Sequence, residues 1–213
     1  MTPDGMSTAA GKPRRIVLAT RSAAKLAELH RILQASGLDV DLAGLGDFPG
    51  APEVAETGRT FAANARLKAR SAAEFTGLPA VADDSGLCVG ALNGMPGVLS
   101  ARWAGRHGDD RANLTLVLAQ LADVPDPDRD AYFACAAALV LPDGTERVVE
   151  GRLYGRLTRE PRGTNGFGYD PIFTPDSAGL TTAEMEPAAK DAISHRGRAL
   201  RALAPVIAEL LPA

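Results

Sequence analysis

Apolar residues in this chain recur with two alternating periods. Arg15-Ile16-Val17-Leu18-Ala19-Thr20 is a short apolar run that predicts a buried strand. Behind it, Leu26, Leu29, Ile32 and Leu33 fall on one face of a helix predicted over Ala23 to Ser36, with Gly37 as its stop. Residues Leu42 to Pro52 are rich in Gly and Pro and read as a loop, and the Ala-rich stretch Thr60 to Phe75 predicts a second helix with Asn64 and Lys68 one turn apart on a shared face. Leu78 to Ala82 reads as another buried strand, breaking into an acidic turn at Asp83-Asp84-Ser85-Gly86. A helix over Asp109 to Leu121 follows. Tyr132 to Leu141 and Arg147 to Leu153, joined by Pro142-Asp143-Gly144-Thr145, predict a hairpin. The last helix runs from Ser194, a natural N-cap, to Leu211. Helices and strands interspersed in this way predict an α/β fold.

Composition narrows the class. Of 213 residues, 46% are hydrophobic and 23% charged, enough for the core of one soluble domain, expected over 14–213 after a flexible tail at 1–13. A net charge of -3 gives no global attraction to nucleic acid, so a polyanionic ligand must be held by a local cluster, and neither a nucleic-acid partner nor a membrane is expected. No apolar run approaches the roughly 18 residues of a span. The N-terminus lacks a secretory signal, so a cytoplasmic location is expected. Cys88 and Cys135 have no metal-like or redox-like spacing, which suggests buried thiols in a reducing compartment and leaves a disulfide between them open.

Several short patterns hold candidate chemistry. The turn Thr20 to Lys25, between strand and helix, aims backbone N–H groups outward, the usual basis of phosphate binding. Adjacent carboxylates at Asp83 and Asp84 are costly beside an apolar strand unless they face water or a cation; alone, the segment reads as a solvated Asp-rich turn. Glu56 adds a third carboxylate, and Lys25, Lys68, Lys190, His195 and Arg196 add cations from separate elements. In Gly166-Phe167-Gly168-Tyr169-Asp170-Pro171 two glycines allow a tight turn that exposes a ring to stack on a base, or that anchors a hairpin. Ser194-His195-Arg196-Gly197 sets an imidazole and a guanidinium at a helix start. The Walker-like Gly5 to Lys12 has the wrong spacing, and Ser22-Ala23-Ala24-Lys25 lacks the companion motifs of serine acylases.

In this order, these blocks resemble the inosine/xanthosine triphosphate pyrophosphatase family. The matches are Ile16 to Leu33, Glu56-Thr57-Gly58 with Phe61, Asn64 and Lys68, Ala82 to Leu87, Gly94 to Gly97 with Ser100-Ala101-Arg102, Gly166 to Phe173, and Lys190 with Ser194 to Gly197. The resemblance implies an elongated α/β protein with a long, mostly mixed central sheet flanked by helices, two lobes with a nucleotide cleft between them, and a homodimer. It implies hydrolysis of inosine, deoxyinosine and xanthosine triphosphates to monophosphate and pyrophosphate with Mg²⁺. Asp84 would be the catalytic carboxylate and a metal ligand, Glu56 a second metal ligand, and Ser85 a substrate contact. Thr20, Arg21, Ser22, Ala23, Ala24, Lys25 and Lys68 would hold phosphates, and Phe167, Gly168, Tyr169, Asp170, Lys190, His195 and Arg196 would frame base and sugar. Where the family has Thr-Gly-Asn, this chain has Thr20-Arg21-Ser22. Two other readings stay open, a pyrophosphatase for other modified nucleotides and a nucleotide-binding protein without turnover.

Overall fold

The computed structural model describes residues 14–212, so the tail expected over 1–13 lies outside the described residues. Six strands form one sheet, ordered β2-β1-β3-β4-β5-β6. β1 (Arg14–Leu18) lies parallel to β2 (Val40–Gly44) and β3 (Ala80–Val89), and β3, β4 (Asp130–Val140), β5 (Glu146–Leu157) and β6 (Phe173–Pro175) then alternate antiparallel, so the sheet is mixed, as expected. Crossover connections are needed only at the parallel end. The first is α1 (Ala23–Ala35), the second α2 (Phe61–Thr76). α3 (Asp110–Gln120), α4 (Pro187–Ile193) and α5 (His195–Leu210) complete the helices.

Each face of the sheet is buried by different helices. α1 and α5 pack Leu29, Leu33, Leu200, Leu203 and Ile207 against Ile16, Leu18, Val81 and Leu139. On the opposite face α2 lays Ala65, Ala69, Ala72 and Ala73 over Val17, Ala80, Ala82 and Ala138, and these small side chains let helix and sheet approach closely. A third cluster joins α3 to Leu87, Val89, Leu153, Ile172 and Phe173. Helix ends follow sequence chemistry: the Thr60 hydroxyl accepts from Ala63 N, the Ser194 hydroxyl accepts from Gly197 N, and Gly77 ends α2 at φ 68°.

Two expectations fail. The expected loop Leu42 to Pro52 begins inside β2, whose five residues pair with β1. The larger correction concerns Asp83 to Gly86, which form no turn: β3 runs straight through them, paired with β4 from Ala80↔Val140 to Val89↔Ala131. Asp, Ser and Gly favour turns locally, but ten residues of ladder override that preference. The partners opposite Asp83 and Asp84 are Ala137 and Ala136, small enough to leave space beside both carboxylates. Cys88 and Cys135 are buried free thiols, which closes the question of a disulfide. None of the helices among the described residues is long and apolar enough to cross a membrane.

Candidate active site

β1 ends at Leu18, paired with Val81, whereas β3 continues for eight residues beyond that point. This leaves a crevice beyond the carboxyl end of β1, bounded by the 19–25 turn and the Asp83–Gly86 edge, the position at which open α/β sheets bind ligands. Successive strand residues point to opposite faces. Asp84 therefore shares the α2 face of Ala80 and Ala82, and Asp83 shares the α1/α5 face of Val81.

On the α2 face, Lys68 Nζ donates to Asp84 Oδ1 at 3.2 Å and to Glu56 Oε1 at 2.8 Å, and Asn64 Nδ2 donates to Asp84 Oδ2 at 3.1 Å. The helix face that the sequence predicts Asn64 and Lys68 to share is turned to one carboxylate. Arg102 Nη1 lies 3.4 Å from Glu56 Oε2 and completes an alternating row of charges. Burial raises the Asp84 pKa, Glu56 adds to it, and Lys68 and Asn64 offset only part. Burial acts upward on Glu56 too, but Lys68 and Arg102 outweigh it and hold that carboxyl below its usual range.

Asp83 is the opposite case. Lys25 Nζ donates to its Oδ2 at 3.0 Å and Arg196 Nε lies 3.6 Å from the same oxygen. Burial would raise its pKa, but these two cations prevail and lower it. Arg196 also meets Glu28 of α1 at 3.2 Å, while its buried Nε has no hydrogen-bond partner among the described residues. His195 stacks on Phe133 with ring centroids 4.9 Å apart, and burial, with Lys190 and Arg196 nearby, depresses its pKa to about 3. It is neutral at pH 7. A close approach permits this placement: a Cβ at Gly151 of β5 would strike His195 O and Ala199 N, so α5 can start over the sheet only because that position is glycine.

In the 166–170 loop, Gly166 and Gly168 adopt φ of 77° and 60°, which lets the chain turn out at Phe167 and back in at Tyr169. Phe167 is 76% exposed, with Lys190 Nζ 5.1 Å from its ring centroid. Tyr169 is buried and donates to Ser100 O at 2.9 Å, so only one of the two aromatic rings is presented. Asp170 is buried as well. Its carboxylate accepts from Phe167 N, Thr182 Oγ1 and Lys190 Nζ, and so braces the loop from inside.

Two cavities lie among these residues, and Asp84 itself lines neither. One, of about 700 Å³, is lined by Thr20, Arg21, Glu56, Lys68 and Arg102; the other, of about 330 Å³, by Lys25, Ser85, Phe167, Lys190, His195 and Arg196. His107 lines both. Gly168, Tyr169 and Asp170 line the smaller one, whereas Ser22, Ala23 and Ala24 line neither. The Ser22 hydroxyl caps α1, accepting from Lys25 N, and Ala23 and Ala24 supply only the exposed first turn. Arg21 turns away from the helix to donate to Ala51 O at 2.9 Å, with Glu53 at 3.8 Å. The sequence reading assigned no role to Glu28, Arg102 or His107. Glu28 had a signal, standing three residues after Lys25 on one helical face.

The oxygen-rich donor set fits a hard cation. Among the described residues no group of three or more His, Cys, Asp or Glu side chains is arranged to hold a metal, but Mg²⁺ is commonly held by one or two carboxylates plus substrate phosphates. Glu56 and Asp84, converging on the Lys68 ammonium, match that limited requirement.

Comparison with known proteins identifies the family. The dITP/XTP pyrophosphatases of Streptomyces coelicolor and Streptomyces avermitilis are 64% and 61% identical over 197 residues, covering 92% of this chain and 98% of each relative. Among solved structures, a nucleoside-triphosphatase / dITP/XTP pyrophosphatase from Mycobacterium abscessus superposes with a TM-score of 0.79 at 58% identity, over 91% of this chain and 99% of that one. A HAM1 protein from Coxiella burnetii gives 0.86 at 45%, over 92% and 99%. The model of the Ham1 family matches residues 16–206, from β1 into α5, and with relatives aligned over nearly their whole length the chain belongs to the Ham1 family.

Proposed function

We propose that this chain is a nucleoside triphosphate pyrophosphatase acting on deoxyinosine, inosine and xanthosine triphosphates, releasing the monophosphate and pyrophosphate. The observation that carries the reading is the placement of Asp84: a buried carboxylate of raised pKa, held through Lys68 to Glu56, with Lys68 and Glu56 lining the larger cavity and Ser85, its chain neighbour, lining the smaller one. The names of the relatives, dITP/XTP pyrophosphatase, point the same way.

In this mechanism the nucleoside occupies the smaller cavity, its base against Phe167, and the phosphates run past Ser85 and Lys25 toward Lys68. Asp84 takes a proton from water as the water oxygen bonds to phosphorus; the bond to the α,β-bridging oxygen breaks, and monophosphate and pyrophosphate separate. Raised basicity suits a carboxylate to that transfer. Glu56 and Asp84 would hold Mg²⁺, which supplies charge neutralisation at the phosphate oxygens. Lys68 moves its ammonium from the carboxylates toward the developing negative charge, and Lys25 does the same from the Asp83 side. The guanidinium of Arg196 offers donors to a 6-keto purine edge and leaves the 6-amino group of adenine without a match. A homodimer in the cytoplasm belongs to the same reading; light scattering tests the dimer.

Pyrophosphate release from deoxyinosine, xanthosine, adenosine and guanosine triphosphates, with and without Mg²⁺, tests the proposal. Release from the first two above the others supports it. No release from any of them overturns it, and release confined to adenosine and guanosine triphosphates overturns the substrate assignment.

A further inference from the structure

One side chain on the α2 face holds two parts of the site that are far apart in sequence. Asn64 is 0% exposed, and both ends of its carboxamide are engaged. Its Oδ1 accepts from Gly58 N at 2.7 Å and its Nδ2 donates to Asp84 Oδ2 at 3.1 Å. These partners leave the amide a single orientation, because reversal would set an oxygen against the carboxylate and an N–H₂ against an N–H. Gly58 stands two residues after Glu56, so the bond to its N–H fixes the segment from which Glu56 reaches Lys68.

Gly58 has a second property that matters here. A Cβ at that position would lie 2.6 Å from Asn64 Oδ1 and 2.7 Å from Ala63 Cβ, so the backbone can come this close only without a side chain. The other link between the two carboxylates is the Lys68 ammonium, which a substrate phosphate competes for. Once Lys68 turns to phosphate, the amide remains as a fixed connection.

We propose that Gly58 and Asn64 form a clamp that sets the spacing of Glu56 and Asp84, with Asn64 a positioning residue for both carboxylates. The proposal rests on the reading of Asp84 as the carboxylate that activates water. It differs from the ordinary role of a buried amide, satisfying the core, because the two residues act on turnover as one unit.

A double-mutant cycle tests the clamp. Gly58→Ala and Asn64→Ala are each expected to lower kcat about 10 to 100-fold, the range for loss of a supporting contact to a site carboxylate. The double variant should lose little more than the worse single one, since either change releases the clamp. Affinity for inosine monophosphate, measured by calorimetry, should be unchanged, because Phe167 and His195 lie on other elements. Losses that multiply in the double variant, or kcat values near that of the intact chain, overturn the clamp. If Asn64→Ala does not fold, Gly58→Ala decides alone: lowered kcat with unchanged inosine monophosphate affinity supports the clamp, unchanged kcat overturns it. Asp84→Asn separates the two levels. Turnover retained there overturns the underlying reading, whereas turnover lost there but intact in Gly58→Ala overturns only the clamp.

Discussion

Asp83 and Asp84 are neighbours on β3 with contrasting surroundings. Asp83 is boxed in by Lys25 and Arg196, which lower its pKa against the effect of burial; at Asp84 burial prevails, with the Glu56 charge adding to it, over Lys68 and Asn64, and its pKa rises. Cations outweigh burial at one carboxylate, and burial outweighs the single nearby cation at the other. Strand alternation is what allows two adjacent aspartates to differ this way, and a carboxylate of raised pKa is the one that the proposed mechanism needs.

The contrast breaks most sharply at Asp84. Asp84→Asn is expected to lower kcat about 1000-fold, within the span of general-base contributions, with thermal stability unchanged or higher because an uncomfortable buried charge is removed. Pyrophosphate release and a melting curve check both halves, and a variant that loses activity only by melting would reverse the assignment. Asp83→Asn should do the opposite: it takes the carboxylate away from Lys25 and leaves Arg196 with Glu28 alone, at a cost of about 3 kcal/mol of stability, read by urea denaturation. A small change there would mean that those cations are already solvated.

The Asp83 side also has a pH signature. The folded pKa of His195, about 3, lies below the ordinary imidazole value of 6.5, so between them the unfolded chain binds the extra proton. Stability is full above about pH 6.5 and is lost as pH falls toward 3; at pH 5 the loss from this group is about 2 kcal/mol, and His195→Gln should flatten that part of the curve. The smallest effect is expected at Arg21, exposed and joined among the described residues to Ala51 O and Glu53. Arg21→Gly should shift stability by under about 0.5 kcal/mol and raise KM no more than a few-fold, since it loosens one wall of the larger cavity without touching Asp84.

How much of this was legible beforehand divides along physical lines. Helical spacing placed Asn64 beside Lys68, and the Ser194 cap placed the start of α5, because both signals are local. The acidic turn was misread because Asp-Asp-Ser-Gly has turn chemistry, whereas its strand is imposed by β4, about fifty residues away in sequence. For the same reason the sequence could not say that Asp83 and Asp84 part company: register is a property of the assembled sheet. The Arg102 to Glu56 pairing spans 46 residues and had no local signal. Family resemblance supplied the functional meaning of the blocks, while the contrasting surroundings of the two aspartates emerged only from the faces of β3.

The β4–β5 hairpin also bears on how stiff the molecule is. Its unbroken ladder runs from Asp130↔Arg156 to Val140↔Glu146, crossing from the cluster around Phe173 to those under α2 and α5. Opening the molecule like a book would shear that ladder, so the hairpin is a keel that ties the cluster around Phe173 to those under α2 and α5.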